Sequence, residues 1–98
     1  MTLGAYYNSD SGTRWAQSII CIPVFGINNV SFDVTKSYYS TYYMEDDSGN
    51  RLFTYSTRNS STQSYQYNVS GYSYIKLGNT TNGSGYANCS VKNFRGWK

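Results

Sequence analysis

No histidine occurs in the 98 residues, and that absence removes the commonest general base and the commonest metal ligand. Two cysteines without histidine make no zinc site. A serine nucleophile would need one of five carboxylates or four lysines as its activating base. A glycosidase needs two facing carboxylates, but Glu45, Asp46 and Asp47 crowd one turn, leaving Asp10 and Asp33 as unattached partners. The chain therefore reads as non-enzymatic, with no cofactor and no metal. The turn at 45–50 places oxygen donors at Asp46, Ser48 and Asn50, yet Gly49 is misplaced and no glutamate closes the loop as calcium requires. Asp and Gly in an ordinary hairpin turn account for it.

Charge is also sparse, at 13% of residues with a net value of +3. Lys36, Arg58, Lys76 and Arg95 are scattered rather than clustered, which argues against a nucleic-acid partner. Long apolar runs are missing. The longest, 19–25, contains Pro23 and is far too short to cross a bilayer, so no membrane span is expected. After Met1 there is no basic segment followed by an apolar one, so no signal peptide is visible. A surface built from Ser, Thr, Asn and Gln nevertheless suits an exported protein, read here as a mature domain with an added start methionine.

Aliphatic side chains are few: Leu, Ile and Val together number 13, against 12 tyrosines. Ordering a chain of this length costs on the order of 100–200 kcal/mol of conformational entropy. Tyrosine rings must therefore supply much of the buried area, their hydroxyls reaching water or a partner. The modest charge and the many aromatics argue against disorder. One domain spanning 1–98 is expected.

No window of a dozen residues has helical periodicity. Alternation is clearest in VSFDVTKS at 30–37, with Val30, Phe32 and Val34 on one face. YYSTYYM at 38–44 and RLFTYST at 51–57 flank the acidic turn as a hairpin. Residues 58–64 read as a loop, and 63–69 alternate again through Tyr65, Tyr67 and Val69. The run RWAQSIICIPVF at 14–25 is apolar on both faces in its second half and reads as a central, covered strand whose pairing stops at Pro23. Residues 1–13 read as an irregular lead-in or a short edge strand. The terminal Trp97 is expected to dock on the body, near Trp15. About seven strands separated by turns point to an all-β, antiparallel β-sandwich or small barrel.

The strongest hairpin signal is YSYIKLGNTTNGSGYANCSVKNF at 72–94. Ser73, Ile75 and Leu77, and then Ala87, Cys89 and Val91, form a small apolar face. Tyr72, Tyr74 and Lys76, and then Tyr86, Asn88, Ser90 and Lys92, form the other. Tyr72, Tyr74 and Tyr86, edged by Lys76 and Asn88, would make a flat aromatic platform for a glycan or protein surface. The competing reading makes these rings a second core layer. The loop GNTTNGSG at 78–85 is a recognition loop or simply flexible.

Cys21 and Cys89 have one possible pairing. A bond between them would close a loop of about seventy residues, worth about 4 kcal/mol on the chain-entropy model, and would imply an oxidising compartment. Six Asn-x-Ser/Thr sequons, at Asn29, Asn59, Asn68, Asn79, Asn82 and Asn88, are ascribed to composition.

In overall texture the chain resembles short secreted β-sandwich proteins of Gram-positive bacteria, including some bacteriocins; no site residue is transferred on that ground. The expected function is a secreted, non-enzymatic module that binds a glycan or a protein surface through exposed tyrosines and loops. Alternatives are a bacteriocin-like toxin or enzyme inhibitor, and a structural subunit of a virion or surface assembly.

Overall fold

Alternating apolar and polar residues give nine strands among the described residues, and a computed structural model shows how they pair. It describes residues 1–8, 13–14 and 18–98, with side chains for 1–5 and 18–98. The strands are β1 (Thr2–Asn8), β2 (Thr13–Arg14), β3 (Ser18–Pro23), β4 (Asn29–Lys36), β5 (Ser40–Glu45), β6 (Arg51–Tyr55), β7 (Ser61–Asn68), β8 (Tyr74–Thr81) and β9 (Gly85–Trp97). The larger sheet has the order β2-β1-β9-β4-β7 and the smaller β3-β8-β5-β6. All pairings are antiparallel, and the sheets do not close into a barrel. They face each other, β1 packing on β8 and β3, and β9 on β8 and β5.

The pairing departs from the sequence reading in a systematic way. Of the expected hairpins only β5–β6 forms, with a bulge between Met44 and Glu45. β8 and β9 do not pair at all: β8 lies between β3 and β5, and β9 between β1 and β4. Most connections cross from one sheet to the other, so strands adjacent in sequence become opposite layers. β1, expected as an irregular lead-in or a short edge strand, pairs along β9 from Thr2↔Ser90 to Tyr7↔Gly85, with β2 outside it. β3 is an edge strand rather than a central one: Ile19, Cys21 and Pro23 are exposed, and only Ser18, Ile20 and Ile22 turn inward. Its ladder runs to Pro23↔Tyr74, and one further backbone bond follows, from the Val24 N–H to the Ser73 carbonyl at 3.0 Å, so the missing N–H of Pro23 does not interrupt the pairing. Residues 9–12 of the expected lead-in, and the expected docking of Trp97 near Trp15, lie outside the described residues.

The core draws on both layers. Val30, Phe32, Val34, Leu3, Cys89 and Val91 come from the larger sheet, and Tyr42, Met44, Ile75 and Leu77 from the smaller. Where β6 faces β7 the seam is aromatic. Phe53 stacks on Tyr65 at 4.4 Å between ring centroids and on Tyr67 at 5.3 Å, and Tyr55 stacks on Tyr42 at 5.4 Å. Tyr42 and Tyr65 join hydroxyls at 2.6 Å. The tyrosines thus extend a core that aliphatics alone would leave small. Burial, reinforced by that hydrogen bond, raises the Tyr42 phenol pKa well above its ordinary range.

A polar pin crosses the same core. Asn79, fully buried on β8, donates through Nδ2 to the carbonyls of Leu3 at 2.9 Å and Ala87 at 3.1 Å on the opposite sheet. Its Oδ1 accepts from the Ser40 hydroxyl.

The disulfide does not exist in this fold. Cys21 is exposed on the outer side of β3, Cys89 is 1% exposed between the sheets, and both thiols are free. Loop length argued for the bond, but side-chain parity decides it: position 21 points out of the smaller sheet, while position 89 points into the core. The inference of an oxidising compartment from this pair falls with it. Burial pushes the Cys89 thiol pKa up to about 11, partly offset by its hydrogen bond with Ser40.

Candidate functional site

The outer face of the larger sheet is polar, and one irregularity organises it. Up to Lys92 the even-numbered residues of β9 face outward: Tyr86, Asn88, Ser90 and Lys92. Between Asp33↔Lys92 and Ser31↔Arg95 the register gains one residue on β9. Asn93 absorbs it in the left-handed region, at φ 56°, which Asn tolerates better than most residues. The bulge inverts the parity of the strand. Phe94 turns inward onto Phe32, stacked at 5.7 Å, and Arg95 and Trp97 join Tyr86 and Lys92 on the outside.

An open cleft of about 560 Å³ lies at this bulge, lined by Ser31, Asp33, Ser64, Gln66, Asn93 and Arg95 over the backbone of Phe32 and Tyr65. Asp33 is at its centre. One carboxylate oxygen accepts from Asn93 Nδ2 at 2.8 Å and the other from Ser64 Oγ at 2.7 Å. These bonds, that from Asn93 first, hold the carboxyl pKa below its ordinary 3.8. An ionised carboxylate offers about four lone-pair positions, so half its accepting capacity is still available. Lys92 stands opposite Asp33 in the ladder without forming an ion pair with it. The cleft thus combines a fixed acceptor, amide and hydroxyl groups of either polarity, and a guanidinium, with Trp97 39% exposed further along β9.

The expected platform is not assembled, because its members belong to different sheets. Tyr74 and Lys76 are on the outer side of the smaller sheet, the ammonium 5.9 Å from the ring centroid. The Tyr74 hydroxyl reaches the Asp47 carbonyl at 3.4 Å. Tyr72 is half-buried against the core after the turn closed by its N–H and the Val69 carbonyl at 3.1 Å. Tyr86, 63% exposed, and Asn88 are on the outer side of the larger sheet. Asp33, Asn93, Ser64 and Gln66 were not singled out in the sequence. The one available signal was the break of alternation at Asn93-Phe94, where two consecutive positions fail to follow the β9 pattern.

Two other features are structural. Lys36, 3% exposed, donates to the carbonyls of Asn59 at 2.6 Å, Thr57 at 2.8 Å and Tyr38 at 3.4 Å, tying the β6–β7 connection to the end of β4. Desolvation lowers its pKa. The acidic turn holds its own charge: Asp46 accepts from the backbone N–H groups of Ser48 and Asn50 at 2.9 Å each. The β8–β9 connection is tied at several points. Asn82 donates to the Ser56 carbonyl at 2.6 Å, and its own carbonyl accepts from Arg58.

No protein-family model matches the chain, and no curated protein matches it in sequence.

Proposed function

We propose that the chain is a non-enzymatic extracellular binding module, a two-layer β-sandwich that offers the outer face of its larger sheet to a glycan. The observation that carries this reading is the cleft at the Asn93 bulge, where Asp33 is held by two neighbours and retains accepting capacity. Sugar hydroxyls are donors and acceptors at fixed spacing. A carboxylate with spare lone pairs, flanked by amides, hydroxyls and a guanidinium, satisfies both roles. Trp97 and Tyr86 add exposed ring surface on the same face, against which the C–H side of a sugar can lie. An open cleft on a flat sheet suits a polymer better than a small molecule, which favours a concave, largely apolar pocket. The extracellular setting is drawn from that ligand and no longer from the cysteines.

The test is retention on a panel of immobilised and soluble polysaccharides by affinity electrophoresis. Asp33→Ala and Trp97→Ala are expected to weaken binding about ten-fold or more, whereas Tyr74→Ala, on the opposite outer face, leaves it unchanged. Loss of binding on Tyr74→Ala together with full binding by folded Asp33→Ala would place the site elsewhere.

A further inference from the structure

We propose that the ligand of this face is an anionic glycan, one bearing carboxylate, sulfate or phosphate groups; the inference rests on the glycan reading above and specifies its substrate class. Its basis is an account of the charged side chains among the residues whose side chains are described. Arg51 pairs with Glu45 at 3.2 Å and lies over the Tyr43 ring. Arg58 donates to the Asn82 carbonyl and sits over Tyr39. Lys36 is buried on backbone carbonyls, and Lys76 lies over Tyr74. Asp46 is absorbed by its own turn, Asp47 accepts from the Ser73 N–H at 2.7 Å, and Asp33 is held by Asn93 and Ser64.

Three charged side chains remain without a partner among the described residues, and all are cations: Lys92 and Arg95 on β9, and Lys98 just beyond it. Lys92 and Arg95 are brought to the same outward face by the bulge, and Arg95 lines the cleft. The acidic residues Glu45, Asp46 and Asp47 sit at the β5–β6 turn of the other sheet. Not being engaged in an ion pair, such cations gain most from an anion supplied by the ligand. The planar guanidinium of Arg95 can take a carboxylate or phosphate in two parallel hydrogen bonds, while Lys92 acts as a point charge. At about 3.3 Å per residue along a strand, the two cations sit on the order of 10 Å apart, close enough for one polymer segment to meet both. Asp33 contributes one negative charge to the same face, against the two positive charges of Lys92 and Arg95, so the balance there is still positive.

Two matched pairs test the proposal: polygalacturonate against its fully methyl-esterified form, and dextran sulfate against dextran. The acidic member of a pair is expected to bind about ten-fold or more tightly, with affinity falling as salt rises. Lys92→Gln, outside the cleft lining, should reduce that preference without reducing binding to the neutral member, and Arg95→Gln should weaken binding of the acidic member more than of the neutral one. Equal affinity for acidic and neutral members would overturn the anionic assignment and leave glycan binding standing. Absence of binding to all four by folded protein would count against both. Equal binding of single-stranded DNA or of anionic lipid vesicles at matched charge would overturn the proposal by showing a surface that takes any polyanion.

Discussion

Replacing Asn79 with leucine should cost this small protein a large share of its stability. The side chain has no exposed surface, and it alone joins Ser40 on its own sheet to the carbonyls of Leu3 and Ala87 on the other. Three hydrogen bonds disappear, each worth about 0.5–1.5 kcal/mol net, and the Ser40 hydroxyl loses its acceptor at about 1–3 kcal/mol. Leucine recovers part of this as apolar burial, so about 2–4 kcal/mol is expected. In a domain of this size each kcal/mol shifts Tm by about 4–8 °C, which places the loss at about 10–30 °C by circular dichroism. Ser40→Ala in the Asn79→Leu background should restore part of the loss, since removing both partners leaves fewer orphaned groups. Asn79→Asp adds a sign test. A carboxylate facing two carbonyls has its folded pKa raised, so the variant should be weakest at neutral pH and regain stability as pH falls through that raised value. A Tm within about 3 °C of the parent for Asn79→Leu, or strict additivity with Ser40→Ala, would refute the pin.

Three further outcomes are expected. Alkylation of the native protein should modify Cys21 at once and Cys89 only after denaturation, with no two-dalton mass change on reduction beforehand; protection of both thiols would restore the disulfide. Because the Cys89 pKa is raised from 9.0 to about 11, its contribution to stability is whole below pH 9 and is lost as pH rises toward 11. Cys89→Ala should flatten part of that alkaline loss in urea titrations, and an unchanged slope would count against burial of the thiol. Gly78→Ala should destabilise by about 1–3 kcal/mol, since a Cβ there would lie 2.2 Å from Cζ of the Tyr43 ring that covers it. Tyr43→Ala in the same chain should relieve the clash, and a wild-type urea midpoint for Gly78→Ala alone would show that the ring is not seated there.

Much of the local structure was legible in the residues. The alternation at 30–37 matches β4, and the acidic turn joins β5 to β6. Tyrosine as core material followed from the shortage of aliphatics, and Tyr42, Tyr65 and Tyr67 supply it. The disulfide was not borne out, because Cys21 points outward and Cys89 inward; the central placing of β3 and the hairpin at 72–94 were not borne out either, for a different reason. Alternation says which residues share a face of a strand, but not which strand lies beside it. A turn rich in Gly and Asn between two strands allows a hairpin and allows a crossing to the opposite layer equally well.

The stretch 72–94 illustrates the division. Its two runs, their facing residues and the turn between them are written in the sequence, because backbone geometry alone imposes a period of two. Their partners are not, because long-range burial selects β1 and β4 for β9, and β3 and β5 for β8. That choice separates Tyr74 from Tyr86 and dissolves the expected platform. The cleft at Asp33 arises the same way: it needs β4, β7 and β9 side by side, and a single extra residue at Asn93 that turns Arg95 and Trp97 outward. Strand identity is a local property of the chain, whereas the site is a property of neighbours that only packing brings together.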